Sequence, residues 1–231
     1  MTENEANACF QRGKEYYDQD RYDKAIDEFT KAVTSNWNIA DAKVYLASSC
    51  HLQGGVHYSN DEYSKAIKFF TMAIDLNQDD VHRSFKGRGM SYLCLEQWDK
   101  VISDFTRVVE HDKSDEHALS CLGEAYKHAE QWQLLYDNSC RIIEFNSNNP
   151  LAYGSRGYAS FRMNQFEAAI SDFSEAISRM DDIGMRYLRG DAYLRTRQWK
   201  LAYEDLKMVL DKDPAHKGAK ASMEAVKKAY G

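Results

Sequence analysis

The stretch HRSFKGRGMSYLCLEQWDKVISDFTRVVEHDKSD, residues 82 to 115, decides the fold. Its Gly89, Tyr92, Trp98, Val101, Phe105 and Val108 form a ladder that returns along the chain. Gly13, Tyr16, Tyr22, Ala25, Phe29 and Ala32 precede it, and Gly190, Tyr193, Trp199, Ala202, Leu206 and Val209 follow. The aromatic rung alone recurs as Trp98, Trp132, Phe166 and Trp199, every 33 or 34 residues. Self-similarity at this length means that each unit is one supersecondary element, unable to bury its apolar face alone, so neighbouring units must stack to make a core.

The ladder resembles the tetratricopeptide repeat (TPR) family, a helix-turn-helix of about 34 residues with Gly then Tyr in its first helix and small and Phe positions in its second. The resemblance implies an all-α fold, a right-handed α-solenoid of six TPR helix-turn-helix repeats plus a C-terminal capping helix. The repeats fall at 6–39, 40–80, 82–115, 116–149, 150–182 and 183–216. Residues 217–230 read as the cap, with Ala219, Met223, Val226 and Tyr230 inward and Lys220, Glu224, Lys227 and Lys228 outward. Both prolines, Pro150 and Pro214, sit at repeat boundaries, where a helix should start or stop. A solenoid needs no central core, so residues 1–231 count as one elongated domain.

Two copies depart from the ladder. In the second, the first helix runs through Leu46 and Cys50, and the second helix, with Tyr63, Ala66, Phe70 and Ala73, arrives seven residues late. Gly54 and Gly55 are expected to end the first helix, and Ser59 with Glu62 has the form of a capping box, so an enlarged turn is expected over Gly54 to Asn60 with His57 and Tyr58 at its tip. In the fourth copy Leu135 and Ser139 stand where a small residue and a Phe are usual, which should alter the local helix packing.

Comparison among copies exposes a charge pattern. Arg12, Arg88, Arg156 and Arg189 precede the repeat glycine, and each has an acid sixteen residues later: Glu28, Asp104, Asp172 and Asp205. The other two copies have Leu46 and Leu122 at the first place, with Phe69 and Asn138 at the second. Antiparallel helices joined by a short turn bring such positions together, which predicts four ion pairs within repeats and makes these arginines structural.

Composition narrows the function. A net charge of −6 argues against general affinity for nucleic acid or an anionic membrane, because a phosphate-tracking surface needs a basic excess. No apolar run approaches the ~20 residues that span a bilayer, and the start, MTENEANACF, is too polar for a secretory signal. Five scattered cysteines fit reduced thiols in a cytoplasmic protein. There is no glycine-rich phosphate loop, paired-Cys motif, HExxH or nucleophile elbow, so neither an enzyme nor a resident cofactor is expected. His117, Glu124 and His128 share one helix face, but three such residues read more simply as an exposed polar stripe than as a metal site.

The resemblance places a peptide-binding groove along the first helices, which implies a noncatalytic interaction module or adaptor for a segment of a partner protein. Carried over by position, the groove residues are Lys86, Met90, Glu124, Lys127, Tyr158, Phe161, Arg162, Tyr187, Asp191, Leu194 and Arg195, with Asp41, Val44, Ser48 and His51 in the second repeat. Tyr158, Phe161, Tyr187 and Leu194 with Arg162 and Arg195 have the composition of an interface centre, and Gly154 leaves a gap beside them. The family's clamp for the C-terminal carboxylate of heat-shock proteins is not expected, because its places hold Phe10, Lys14, Tyr45, Arg83 and Gly87. The alternative is an enzyme accessory that binds a small molecule or metal in the polar centre around Lys86, Glu124, Lys127 and His128.

Overall fold

The computed structural model describes residues 1–35, 37, 41–76 and 81–230, the side chain of Tyr230 excepted. Among them are thirteen α-helices and no strand. Backbone contacts divide the chain into two units, residues 1–121 and 122–231. The first holds α1 (Glu3–Asp18), α2 (Tyr22–Val33), α3 (Ala42–Ser59), α4 (Tyr63–Leu76), α5 (His82–Cys94), α6 (Trp98–His111) and the start of α7 (Glu116–His128). The second holds the rest of α7 with α8 (Trp132–Phe145), α9 (Pro150–Arg162), α10 (Phe166–Arg179), α11 (Ile183–Arg195), α12 (Trp199–Lys212) and α13 (Lys217–Tyr230).

Odd-numbered helices up to α11 are the first helices of their repeats, and even-numbered ones are the second. In the first unit α1 touches α3 and α3 touches α5; in the second, α9 touches α11 and α11 touches α13. First helices therefore lie side by side within each unit. The second helices bury one apolar stripe, as their 3.6-residue pattern requires: Ala25, Ile26, Phe29 and Ala32 in α2, Val101, Phe105, Val108 and Val109 in α6, Ala169, Phe173, Ala176 and Ile177 in α10. Phe29, Phe105 and Phe173 are fully buried, and each such side chain contributes roughly 1.5–3 kcal/mol through the hydrophobic effect.

Helix starts follow from local chemistry. Thr2 and Glu5 make a reciprocal capping box on α1, Asn149 accepts from the backbone of Leu151 and Ala152 ahead of Pro150 in α9, and Asp182 accepts from Met185 N–H in α11. The turns inside the repeats are closed by one device. Asp20, Asp61, Glu96, Glu130, Asn164 and Arg197 take positive φ between 54° and 61°. The N–H of the next residue reaches back to a carbonyl in the last turn of the helix: Arg21 to Tyr16, Glu62 to His57, Gln97 to Tyr92, Gln131 to Tyr126, Gln165 to Ser160 and Gln198 to Tyr193, all at 2.8–3.0 Å.

This device overturns the enlarged turn of the second repeat. The first helix does not end at Gly54; α3 runs on to Ser59 and is 18 residues long, where α5, α9 and α11 have 13. The connection at 60–62 is as short as that at 95–97, and Asp61 stands where Glu96 stands. The glycine register agrees. A Cβ on Gly54 would lie 2.9 Å from the Phe70 ring, as one on Gly13 would lie 2.5 Å from Phe29. The repeat glycine of this copy is thus Gly54, the extra residues precede it, and five of the seven lengthen α3 on its N-terminal side. Ser59 caps nothing: it is the last residue of α3, and Glu62 instead bonds His57 Nδ1 and Lys65 Nζ, each at 2.6 Å. His57 and Tyr58 are helical residues, stacked on Phe69 and set edge-on to Tyr63.

The fourth repeat solves its substitutions locally. Leu135 is buried and comes within 3.7 Å of a Cβ position on Gly123, taking up part of the space an aromatic fills elsewhere, while Ser139 turns its hydroxyl to the Leu135 carbonyl at 2.8 Å. At the C-terminus, Ala219, Met223 and Val226 of α13 close the apolar cluster of Ala202, Leu206 and Val209. The expected inward turn of Tyr230 lies outside the described side chains.

Candidate functional site

All four arginine–acid pairs are present. Arg12 meets Glu28 at 2.6 Å, Arg88 meets Asp104 at 2.8 Å, and Arg156 meets Asp172 and Arg189 meets Asp205 at 2.7 Å. The last three are two-pronged, through Nε and Nη2. Sequence reasoning missed the third arm: Nη1 of Arg88 donates to Thr71, of Arg156 to Cys140 and of Arg189 to Ser174, each on the second helix of the preceding repeat. These guanidinium groups are committed to the framework, so they are not ligand contacts. In the second repeat the residue before the glycine is Gln53, not Leu46, and it faces His57 at 3.2 Å.

The candidate groove residues fall into both units. In the first unit Lys86 pairs with Asp115 at 2.7 Å. Burial works to raise the Asp115 pKa, but Lys86 and the N–H of Ala118 outweigh it and hold the carboxyl below its usual range. Met90 lies against Cys121 Sγ at 3.9 Å. The shifted register also moves the second repeat's first-helix positions, so that Ser48 and His51 remain in the row and Asp41 and Val44 fall near the start of the lengthened helix.

In the second unit Lys127, Tyr158 and Arg162 gather around Trp132. The Arg162 guanidinium sits 4.1 Å from the Trp132 ring centre, Tyr158 stands edge-on to that ring at 5.7 Å, and Lys127 Nζ is 5.9 Å from the Tyr158 ring. Arg162 also donates to the Tyr158 hydroxyl at 3.1 Å and reaches Glu130 at 3.8 Å. Both cations are exposed, as is Glu124, while both aromatic rings are half-buried. Phe161 packs on Phe166 in the neighbouring apolar cluster. In the sequence Trp132 is only a repeat rung. Its part here depends on the short α7–α8 turn, which sets it beside α9.

Tyr187 and Leu194 are packed into the cluster that α13 closes, with Tyr187 tilted against His216 at 4.7 Å. Asp191 accepts from Ser222 at 3.1 Å and lies 3.6 Å from Arg195, whose side chain is more than half exposed. The gap expected at Gly154 is already filled, since a Cβ there would lie 2.5 Å from Met185 Cε. Among the described residues no group of three or more His, Cys, Asp or Glu side chains is placed to hold a metal ion. Cys50 is buried, and burial pushes its thiol pKa up to about 11, which leaves it unreactive.

Two models of the tetratricopeptide repeat match this sequence, at residues 6–36 and 151–179. No curated protein matches it. Among solved structures the chain is similar to YrrB, described as a TPR protein with an unusual peptide-binding site, with a TM-score of 0.67 and 21% identity over 85% of this chain and 97% of that one. It is also similar to MamA from Desulfovibrio magneticus RS-1, with a TM-score of 0.65 and 15% identity over 74% of this chain and 97% of that one. A further MamA structure gives 0.67 and 20% over 73% and 92%. At these identities the likeness is one of fold, helices in TPR-type pairs.

Proposed function

Since this chain is a tetratricopeptide-repeat protein, we propose that it acts as a noncatalytic adaptor, holding a peptide segment of a partner protein against its first helices. The observation that carries the reading is the cluster of Lys127, Trp132, Tyr158 and Arg162. It combines exposed cations with half-buried aromatic faces, the composition that interface centres favour. A framework already held by ion pairs and turn bonds limits the ordering cost of binding to the partner's side. YrrB, alike in fold, is described as having an unusual peptide-binding site, which supports a peptide-binding role here. Binding is proposed to centre on Lys127, Tyr158 and Arg162, with Glu124, Phe161 and Arg195 as flanking contacts. Five free thiols suit the reducing cytoplasm, where the adaptor is proposed to work. Among the described residues no helix is long and apolar enough to cross a membrane.

The test is affinity capture from a native lysate with the wild type and with Lys127→Glu combined with Arg162→Glu. Both side chains are exposed, so helix content should be unchanged by circular dichroism. The variant should recover the wild-type partners at least about tenfold less well, the loss that truncating one interface anchor brings. Equal recovery by both baits would refute the assignment.

A further inference from the structure

A half-enclosed cavity of about 140 Å³ in the first unit is lined mainly by three first helices. Helix α1 supplies Tyr17, α3 supplies Ser48, His51 and Leu52, and α5 supplies Arg83. Among the described residues none that lines it is acidic, although the chain as a whole carries a net charge of −6. Three of its polar side chains, Arg83, Ser48 and Tyr17, are uncommitted among the described residues. Arg12, Arg88, Arg156 and Arg189 are all paired with acids, whereas the exposed Arg83 makes no ion pair or hydrogen bond among the described residues. The hydroxyls of Ser48 and Tyr17 likewise carry no hydrogen bond there. Burial raises the Tyr17 pKa above the usual phenol value, so that hydroxyl remains a donor. His51 is held in place through Nδ1 by Ser84 at 3.0 Å and by the Phe70 ring at 5.5 Å.

Size and charge select the occupant. A cavity of about 150 Å³ holds one benzene-sized group, whereas cofactor and drug-sized pockets run from roughly 300 Å³ upward, so this site takes a single side chain. One guanidinium balances one negative charge; a phosphate group brings about −1.5 to −2 and would be left partly uncompensated. Leu52 and the neighbouring alanines, Ala47 and Ala73, offer apolar surface to a methylene stem.

We propose that this cavity is an anchor subsite for one glutamate side chain of the bound partner segment, its carboxylate taken by Arg83 with the Ser48 and Tyr17 hydroxyls. The proposal rests on the adaptor reading and adds the chemistry of one position in the ligand. Ser48, His51 and Leu52 lie in the stretch of α3 just before the repeat glycine, Gly54, and Arg83 lies in the corresponding stretch of α5 before Gly89.

The test uses the whole chain in solution and two probes with both ends blocked, N-acetyl-glutamate N-methylamide and its glutamine counterpart. The glutamate probe should shift the His51 ring and Arg83 side-chain NMR signals saturably, with an affinity on the order of millimolar for so small a ligand. The glutamine probe should leave both signals in place. Arg83→Gln, at an exposed position, should weaken the glutamate probe at least tenfold, and Ser48→Ala should weaken it less. Equal shifts with both probes, saturable binding that survives Arg83→Gln, absence of any shift, or tighter binding of blocked phosphoserine would each overturn the subsite. If the probe fails while lysate capture still depends on Lys127 and Arg162, only the glutamate pocket falls. If capture by wild type and variant is also equal, the adaptor reading falls with it.

Discussion

Arg88 lies along Asp104 with two hydrogen bonds of 2.8 Å, while its remaining arm donates to Thr71 at 3.0 Å. One guanidinium thereby ties a first helix to its own second helix and to the second helix before it. The Asp104 side chain is only 3% exposed, so a charge lost on one partner leaves the other buried and uncompensated.

Asp104→Ala should therefore cost about 3–5 kcal/mol in urea unfolding, the scale for breaking one side of a buried pair. The double variant Arg88→Met with Asp104→Leu should recover much of that loss, because apolar residues of similar volume replace both charges. A double variant no more stable than Asp104→Ala would show that the pair contributes beyond charge compensation.

Gly54 and Gly55 are adjacent in one helix and should respond with opposite signs. A Cβ on Gly54 would press on the Phe70 ring at 2.9 Å, whereas one on Gly55 meets nothing within 4 Å. Gly55→Ala should stabilise by about 0.5–1 kcal/mol from helix propensity. Gly54→Ala should lose roughly 1–3 kcal/mol through overpacking, less whatever propensity returns. Thermal melts of the two variants check this, and a matching sign at both positions would contradict the register drawn for α3.

Acid should weaken the first unit in part through Asp115. Its folded pKa is depressed by Lys86 and the Ala118 N–H against the opposing effect of burial. A carboxyl depressed on folding stabilises fully above its unfolded value, about 3.9, and that contribution fades as pH falls through the lower folded value. Asp115→Asn should differ from wild type by about 1 kcal/mol at pH 6, since Lys86 is partly exposed, and the two should converge toward pH 2–3. Urea midpoints across pH 2–6 measure the gap; a gap independent of pH would rule out the charge as its source.

Met223 is buried at the end of the second unit, against Leu206 and Val209. Met223→Ala should cost about 2–5 kcal/mol, the range for such core truncations. Removal of residues 217–231 should expose that cluster and raise binding of a hydrophobic dye. Unchanged dye binding after truncation would mean that α13 does not act as a cap.

Much of this protein is legible without coordinates. The recurring Gly, Tyr and Phe positions determine that the chain is helical and repetitive, because a period of 33 or 34 residues is carried by local pattern and survives in one dimension. Four arginines with acids sixteen residues on determine the ion pairs, since a helical hairpin with a short turn leaves such positions little else to face. The apolar face of residues 217–230 likewise announces a closing helix.

Tertiary structure alone decided where the seven extra residues of the second repeat reside. Seven residues are almost two turns at 3.6 per turn, so side chains seven apart in one helix differ by only about 20° and share nearly the same face. Leu46 and Gln53 therefore look equally suitable in one dimension, and only the Asp61 turn and the approach of Gly54 to Phe70 distinguish them. The surface sites share this dependence. Arg162 over Trp132, and Tyr17, Ser48 and Arg83 around one cavity, join residues whose separations follow no helical period, because they meet only when separate helices pack.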